Sequence, residues 1–362
     1  MQEPQAIGIA ESGLRLAIAA LERDPDWRSN LTHGAWLADH AFGAGTFRLR
    51  FEDETDGDLA DEPADAVAVT AIGSFDGAAH KIRAVVSAAA DGLSMSLNVD
   101  DEIIINSDSC VDSFDSRNGA YGPSNRGQDA TATTNSTNAN TITINSASCI
   151  RGDVLVGPGG DPKNVISNPG DVSGSTGVLP EPIVMPTVVE PSHLGPNVGD
   201  LDYDGGHFTI NTDVHAQKLQ IQNSATVRIV GDVTMLIEDE FIVNSEAQVL
   251  IAPGGSLTLY VKGPFTLNSE SRIVQPPDPS AVTVYMLGTS DAMLNSKCEM
   301  YGVIVAPFAR LIINSESHFY GRFIGRGAEI NSDSGFHQDI NPSLSAGLLG
   351  KVNYAVRWCE QP

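Results

Sequence analysis

At 362 residues the chain is long enough for two domains, and its net charge of −25 disfavours nucleic acid and anionic membrane surfaces as partners. Glycine and proline are abundant (35 and 20 residues), whereas aromatic residues make up only 6%. This composition is typical of many short strands joined by turns. The sequence contains neither a secretory signal nor a run of about 20 apolar residues that could span a membrane.

Residues 1–95 are predicted to form a small α+β domain. Apolar residues recur at three- and four-residue steps over 5–24, which predicts a helix. Alternation of apolar and polar residues predicts strands at 46–52, 66–73 and 79–88. One helix packed against a small antiparallel sheet is the expected arrangement.

An acidic loop lies between the first two of these strands. Its carboxylates surround a turn at Gly57, and clustered carboxylates are the hard oxygen ligands that Ca²⁺ prefers. The spacing does not fit an EF-hand, so a solvated loop and a calcium site are both considered. No other cofactor is expected. The candidate calcium ligands are Asp53, Asp56, Asp58, Asp61 and Asp65.

An apolar residue followed by Asn-Ser recurs through the rest of the chain, with a period near 20 residues. This period predicts a mainly β solenoid, a parallel β-helix, whose crossovers are expected to be right-handed. Stacked rungs would place the Asn amides about 4.8 Å apart, close enough to hydrogen-bond along the stack. Near residue 223, Gln222 rather than Asn223 is predicted to occupy the corner. The predicted structural corner row is Asn106, Asn145, Asn244, Asn268, Asn295, Asn314 and Asn331.

The β-helix is predicted to occupy a second domain, 96–362. Two segments are predicted as insertions with little strand content, the Thr- and Asn-containing 112–139 and the proline-rich 157–206. Residues 352–358 alternate apolar and polar side chains. They are predicted to form a strand that caps an open end of the solenoid or packs along its side.

Two of the four cysteines are candidates for a disulfide. Cys110 and Cys149 each lie four residues after a corner Asn, so their thiols would stack if the two rungs are neighbours. Such a bridge would imply an oxidising compartment. Cys298 falls in the small inward position, three residues after its corner Asn, and is predicted to be a buried free thiol.

The position two residues after each corner Asn is predicted to point outward. Like charges about 5 Å apart repel by roughly 1 kcal/mol in water, so a bridging lysine or bound cations would stabilise the row. A solvated structural edge, a cation or ligand site and a catalytic site are the alternatives. The outward charged row is Asp108, Glu246, Glu270, Lys297, Glu316 and Asp333.

Sequence motifs for catalysis are not found: His-Glu-x-x-His, a phosphate loop, Cys-x-x-Cys and Gly-x-Ser-x-Gly are all missing. Histidines such as His215, His318 and His337 are scattered and are interpreted as surface or corner residues. No catalytic residue is predicted, and the chain is not expected to be an enzyme.

Several segments resemble the PilX-type minor pilins of type IV pili. Ala-Glu-Ser-Gly-Leu at 10–14, within the Ala-rich helix, resembles the helix of that family. Residues 45–53 and 56–61 are similar to the strand and acidic loop that follow it. Val-Asp-Ser-Phe-Asp-Ser at 111–116, the Asn-Ser rungs and Tyr-Gly-Val-Ile-Val-Ala-Pro at 301–307 resemble a β-helical domain fused to such pilins.

The resemblance implies a non-enzymatic structural or adhesive protein at the cell surface or outside the cell. Its expected partners are other subunits of a pilus or secretion filament, or a surface polymer. The family's prepilin cleavage site and apolar half-helix do not occur in these 362 residues. The alternatives are a β-helical polysaccharide lyase or hydrolase, which rests on architecture alone, and a bactofilin-like scaffold that polymerises end to end.

Overall fold

The computed structural model describes residues 2–21, 30–53, 56–59, 67–88, 97–192, 194–274, 278–341 and 354–359. The protein is mainly β, as predicted. It divides into two compact units, the first comprising 1–91 with 348–362 and the second 92–347. Among the helices of the described ranges, none combines the length and apolar character needed to cross a membrane.

The first unit packs one helix against an antiparallel sheet. Helix α1 (Gln2–Leu21) begins three residues before the predicted start, and residues 22–24 of the prediction lie outside the described ranges. Phe47, Leu49 and Phe51 alternate with more exposed residues along one strand and enter a core with Leu14 of the helix. The sheet order is β1-β2-β3-β4-β28. Its strands are β1 (His40–Phe42), β2 (Gly45–Asp53), β3 (Val67–Phe75), β4 (Ala78–Ala88) and β28 (Tyr354–Cys359).

The C-terminal strand corrects a prediction. We expected 352–358 to cap the solenoid of the second domain, but β28 pairs antiparallel with β4, with Tyr354 opposite Ala88 and Cys359 opposite Arg83. The strand satisfies backbone groups that the edge of this small sheet would otherwise leave unpaired. Alternation in the sequence identified the strand but could not specify which sheet edge it joins.

Close contact between helix and sheet depends on glycines. A Cβ atom built on Gly73 of β3 would lie 2.3 Å from the carbonyl oxygen of Ala6 and 2.4 Å from the backbone nitrogen of Ala10. A Cβ on Gly13 of α1 would lie 2.7 Å from the ring of Phe47. The missing side chains let the helix backbone approach the sheet, and this contact buries Leu14 completely.

The second unit contains a 23-stranded sheet within the described residues. A short helix, α2 (Pro162–Val165), also belongs to this unit. The strands are β5 (Leu97–Val99), β6 (Ile103–Ile105), β7 (Cys110–Phe114), β8 (Ala130–Thr134), β9 (Ile142–Ile144), β10 (Cys149–Ile150), β11 (Gly152–Val156), β12 (Ile166–Ser167), β13 (Thr176–Val178), β14 (Asp200–Asp204), β15 (His207–Ile210), β16 (Val214–Gln222), β17 (Thr226–Ile229), β18 (Asp232–Val243), β19 (Gln248–Ile251), β20 (Ser256–Val261), β21 (Phe265–Leu267), β22 (Arg272–Val274), β23 (Val282–Met286), β24 (Ala292–Leu294), β25 (Glu299–Ile313), β26 (His318–Ile330) and β27 (Gly335–Asp339).

Each of these strands pairs in parallel with a strand from the repeat that lies next to it in space, and we call one repeat a rung. Phe241 lies opposite Phe265, and Phe265 opposite Ala292, in one inward-facing column. The two phenylalanine rings stack with centroids 5.2 Å apart. Columns of this kind form a core in which nearly every inward side chain is buried, because side chains alternate between the two faces of a strand.

The rungs do not stack in sequence order. After the rung that ends with β27, the next one in space is the early rung 97–114, because β26 pairs with β5 and β6 and β27 pairs with β7. The rungs 130–150 and 152–172 follow, and β13 ends the stack. The spatial order is 200–210, 214–229, 232–251, 256–274, 282–300, 303–319, 322–339, 97–114, 130–150, 152–172 and 176–178.

Both predicted insertions contain parts of this stack. Strand β8 lies within 112–139, which leaves a loop at 115–129, and strands β12, β13 and β14 lie within 157–206. The residues of strand β8, Ala-Thr-Ala-Thr-Thr, differ too little in polarity for an alternating pattern to identify a strand. Among the described residues of 157–206, those at 179–192 and 194–199, which we call the strap, connect the last rung in space to the first.

The glycine contact of the first unit gives a stability prediction. Gly73→Ala should destabilise the packing of α1 by about 1–3 kcal/mol, because the added methyl group meets helix backbone that cannot move aside. Hydrogen–deuterium exchange of α1 peptides would show the loss as faster exchange. Gly8→Ala is the matched control, since a Cβ at Gly8 meets nothing within 4 Å. That variant should slow exchange, because alanine favours the helix over glycine by up to about 1 kcal/mol. Equal effects of the two variants would contradict the contact.

Candidate functional site

The repeated corner is formed by two consecutive residues in the left-handed backbone conformation. After Asn244, Ser245 and Glu246 have φ values of 54° and 60°. Near residue 223 the positive φ values fall on Asn223 and Ser224, so Gln222 takes the corner position. Glycine enters this region freely, whereas other residues do so at a cost of roughly 1–2 kcal/mol. The other pairs are Ser107 and Asp108, Ser146 and Ala147, Ser269 and Glu270, Ser296 and Lys297, Ser315 and Glu316, and Ser332 and Asp333.

Hydrogen bonds between rungs compensate for this backbone strain. The N–H of the second left-handed residue donates to the carbonyl of the first left-handed residue in the next rung, as from Glu270 to Ser296 at 2.8 Å. Equivalent bonds from Asp333 to Ser107 and from Asp108 to Ser146 continue across the change in sequence order. Each corner therefore turns its own rung and also supplies a hydrogen-bond partner to the backbone of the adjacent rung.

The asparagine side chains form a second set of bonds at the corners. Nδ2 of Asn314 donates to Oδ1 of Asn295 at 3.0 Å, and Nδ2 of Asn331 donates to Oδ1 of Asn314 at 2.9 Å. Asn106 and Asn145 extend this ladder with bonds of 2.8 and 3.0 Å. In the rungs of Asn244 and Asn268, the amide oxygen instead accepts from the N–H of the following serine, at 2.8 and 3.1 Å.

The cysteines lie beside the same corners. Cys110 and Cys149 are opposite each other in β7 and β10 and form a disulfide, with Cα atoms 4.7 Å apart. The bridge ties two neighbouring rungs together. Cys298 is a buried free thiol whose Sγ donates to the carbonyl of Asn295 at 2.8 Å, and burial raises the pKa of this thiol.

The outward charged row is exposed along its whole length. Nζ of Lys297 lies 3.7 Å from Oε2 of Glu316, but both side chains are more than half exposed, so this ion pair contributes little. In the parts of the chain that the structure describes, no three His, Cys, Asp or Glu side chains are placed to hold a metal ion. The geometry of the row is that of a solvated edge.

The acidic loop is only partly covered by the described residues. Asp53 is buried at the end of β2, and its N–H donates to Nδ1 of His33 at 3.1 Å. The N–H of Asp58 donates to Oδ1 of Asp56 at 2.9 Å. Asp61 and Asp65 lie outside the described residues, so calcium binding by this loop stays a prediction.

A buried polar network that the sequence did not indicate lies where the rung order changes. Asp112 is fully buried and its Oδ1 lies 2.5 Å from Nδ1 of His337. The hydroxyl of Tyr121 and Nε of Arg126 both donate to Oδ2 of Asp112, at 2.8 and 2.6 Å. Nε2 of His337 lies 3.1 Å from Nδ1 of His318. The interpretation of His318 and His337 as scattered was therefore wrong: strand register brings them together.

The register explains this cluster. Tyr301, Tyr320, His337 and Asp112 are successive partners in one column across β25, β26, β27 and β7. The loop 115–129 folds back over the column and places the ring of Tyr121 3.9 Å from that of His337. The sequence carries no local signal for the network, because His337 and Asp112 are 225 residues apart.

Burial and hydrogen bonding set the charges in this network. Burial opposes ionisation of Asp112, but hydrogen bonds from His337 and Tyr121 and the charge of Arg126 outweigh it and lower the pKa of this carboxyl group. Burial, together with the nearby His337, lowers the pKa of His318 to about 4. At neutral pH the cluster thus contains an ionised Asp112 and a neutral His318.

The strap is attached to the sheet at points that follow one another along the stack. The N–H of Leu179 donates to the carbonyl of Val156 at 2.8 Å. The side-chain amide of Asn135 accepts from and donates to the backbone of Ile183, at 2.7 and 2.8 Å. Farther along, Glu190 pairs with Lys262, and the carbonyl of Gly195 lies 3.0 Å from Nδ1 of His215.

These attachment points flank a column of outward-facing side chains that are nevertheless partly or wholly buried. His215, Leu236, Tyr260, Tyr285 and Val305 are successive partners in this column, and Ile324 follows. Leu236, Val305 and Ile324 are at most 2% exposed although they lie outside the interior core. We infer that the strap covers this column.

An ion network holds the strap near its C-terminal end. Nζ of Lys262 lies 3.0 Å from Oε2 of Glu190 in the strap and 2.7 Å from Oε2 of Glu238. The other oxygen of Glu238 lies 2.8 Å from Nε2 of His215. The hydrogen bond to Glu238, and then the one to Gly195, raise the pKa of His215.

Comparisons with known proteins give limited similarity. A family model described as a domain of unknown function (DUF7305) matches residues 170–344, which is less than half of the chain. A search of curated proteins finds no match. Among solved structures, the chain is similar to the competence-associated pilin ComZ from Thermus thermophilus, with 12% identity and a TM-score of 0.27. That comparison covers 99% of this chain and 98% of the other.

The asparagine ladder gives a prediction about the corners. Asn314→Ala should lower the free energy of unfolding by about 1–2 kcal/mol, because it removes two inter-rung hydrogen bonds and leaves the amide oxygen of Asn295 unpaired. Asn268→Ala should lower the free energy of unfolding by less, because the amide oxygen of Asn268 accepts from the N–H of the following residue. Urea denaturation midpoints would measure both. A larger loss for Asn268→Ala would contradict a stabilising ladder.

The strap should loosen as the pH rises. A protonated His215 donates from both ring nitrogens, to Gly195 and Glu238, whereas a neutral ring has one N–H for two acceptors. Because the folded-state pKa is raised above the usual 6.5, this stabilisation is complete below about pH 6.5 and is lost as the pH rises through the folded-state value. Hydrogen exchange of peptides covering 194–199, corrected for intrinsic rates, should accelerate accordingly. His215→Gln should remove the pH dependence. An unchanged pH dependence in that variant would contradict the role of His215 in holding the strap.

Proposed function

We propose that this chain is a non-enzymatic structural or adhesive protein of the cell surface, associated with a type IV pilus or a related filament. We further propose that the second unit is a right-handed parallel β-helix that serves as a rigid display module. Parallel pairing of each rung with the next supports the β-helix, and the usual handedness of parallel crossovers supports the direction of coiling.

The observation that carries the pilin-like part is a contact between two segments of the first unit that resemble minor pilins. Gly13, within the motif at 10–14, lies against the ring of Phe47 in the strand motif at 45–53. Leu14 of the same helix motif is fully buried in that core. The residues that resemble minor pilins therefore form the helix–sheet contact of the first unit, rather than occurring separately on its surface.

Three features support this proposal. The disulfide between Cys110 and Cys149 is of the kind that persists in oxidising compartments. The strap and the loop 115–129 are both held by hydrogen bonds to the sheet, which favours a rigid module. The polar network around Asp112 is buried beneath that loop, so it favours a structural role over catalysis on a polymer.

The ends of the stack favour a discrete module over an end-to-end polymer. At one end, the rings of Tyr203 and Phe208 contact each other 4.7 Å apart and pack against the core. The outward residues of the terminal strand β14 are Asp200, Asp202 and Asp204, all exposed. Charged edge strands oppose pairing with another sheet. Near the other end, Val165 of α2 is fully buried.

Surface display can be tested by labelling intact cells. Val184 in the strap is 81% exposed, so Val184→Cys in a Cys359→Ser background should react with a membrane-impermeant maleimide in cells that produce the chain. The labelled protein should be recovered with filaments sheared from the cells. The Cys359→Ser protein is the matched control, because its free thiol, Cys298, is buried. Labelling only after lysis would contradict a surface location, and labelled protein absent from sheared filaments would contradict the pilus association.

A further inference from the structure

The joint between the last C-terminal rung and the first N-terminal rung runs through His337 and Asp112, and His318 contacts His337 from the preceding rung. His318 and His337 belong to strands β26 and β27, whereas Asp112, Tyr121 and Arg126 belong to β7 and the loop that follows it. Hydrogen bonds from Tyr121 and Arg126 to Asp112 hold this loop over the joint. The charge state of the histidine pair therefore bears on whether the loop stays closed.

We propose that this cluster is an acid-released latch: added protons separate His318 from His337, loosen the joint and free the loop 115–129 from the aromatic column beneath it. The proposal goes beyond the surface role and does not depend on it.

The geometry allows only one hydrogen between the two rings. Nδ1 of His337 faces Asp112, so Nε2 of His337 and Nδ1 of His318 share a single hydrogen across 3.1 Å. When both rings are doubly protonated, both facing nitrogens carry hydrogen and the contact becomes repulsive. The pair would then hold two positive charges beside Arg126, with the carboxylate of Asp112 as the direct counter-charge.

Gly335 makes this close contact possible. It lies opposite His318 in the register, and a Cβ atom there would lie 2.4 Å from Nε2 of His337 and 2.8 Å from Nδ1 of His318. The imidazole of His318 therefore lies beside a residue without a side chain and reaches the ring of the next rung. The arrangement is specific to this joint, because it needs a glycine in one rung and histidines at two adjacent columns.

The surroundings favour release by acid. From β25, Glu299 lies opposite His318 in the register, and Tyr301 stacks on Tyr320 of β26. From β7 and its loop come Asp112, Tyr121 and Arg126, and Arg151 lies close enough to affect Tyr121. Because the folded state disfavours protonation of His318, the open state binds more protons between about pH 6.5 and 4. Stability of the closed joint therefore falls as the pH falls through that window.

Release would uncover a new surface. Tyr301 and Tyr320 are 7% and 8% exposed, and His337 is 4% exposed. Their rings stack in sequence along the column, with centroids 4.3 Å and 4.8 Å apart. The ring of Tyr121, in the loop, covers His337 and lies 5.5 Å from the ring of Tyr320. An open loop would thus present a row of stacked aromatic rings to solvent.

Hydrogen exchange of the full chain at pH 7.5 and pH 4.5, corrected for intrinsic rates, tests the latch. In the wild type, protection of peptides covering 115–129 should fall about tenfold or more at pH 4.5, while peptides covering the rung 241–251 keep theirs. His318→Gln should lose this acid sensitivity, because an amide can donate to His337 when that ring is neutral and accept from it when it is protonated. His207→Gln, at an exposed position, is the matched control and should behave as the wild type.

Three results would overturn the proposal. One is unchanged protection of 115–129 in the wild type at pH 4.5. Another is an equal fall in the wild type and in His318→Gln, which would assign the release to protonation of carboxylates such as Asp112. If His318→Gln does not fold, NMR titration of the wild-type histidines replaces it: uptake of the second proton by the pair well below pH 6.5, together with loop opening, supports the latch. Uptake with no change in the loop rejects it.

Discussion

The left-handed corner is the constraint on which the second unit depends. In the spatial order of the rungs, each one from the rung of Asn223 to the rung of Ala147 has two successive non-glycine residues with positive φ. Each such pair would be unfavourable in an isolated chain. The bond from one corner to the carbonyl of the next recovers this cost, so the corner is favourable only within a stack. Asparagine suits the position before each pair, because its amide bonds to the asparagine of a neighbouring rung or accepts from the N–H of the following serine.

The same dependence on neighbours explains how the chain can stack out of order. A rung recognises the corner and inward residues of the next rung, and these are alike wherever the rung lies in the sequence. The rung 97–114 therefore pairs in parallel with 322–339, just as consecutive rungs pair with each other. This order requires the chain to return along the whole stack to begin the rung at 200–210. The strap is the segment that makes this connection.

Two histidine sites hold the segments that this topology requires, and protonation affects them in opposite directions. His215 holds the strap best when protonated, because its two ring N–H groups then have two acceptors. A neutral His318 shares one hydrogen with His337 and so holds the residue that bonds to Asp112 across the joint. The network around Asp112 is buried beneath Tyr121, at the place where the order of the rungs changes.

The amino-acid sequence by itself determined the elements whose signals are local. Alternation identified β2, β3 and β4 to within a few residues, and the Asn-Ser period indicated repeated rungs. The spacing of Cys110 and Cys149 after their asparagines indicated the disulfide, and the inward pattern placed Gln222 rather than Asn223 at a corner. Each of these depends on residues a few positions apart, where backbone geometry relates spacing directly to direction.

Only the tertiary structure decided the features that depend on which strand edge is adjacent. Equivalent rungs offer equivalent edges, so no local pattern could place 97–114 beside 322–339, or β28 beside β4. The contact between His337 and Asp112 follows from that order alone, across 225 residues. The column that includes Leu236, Val305 and Ile324 likewise looks like an outward, solvated face in the sequence, yet these three side chains are buried, and we attribute their burial to the strap.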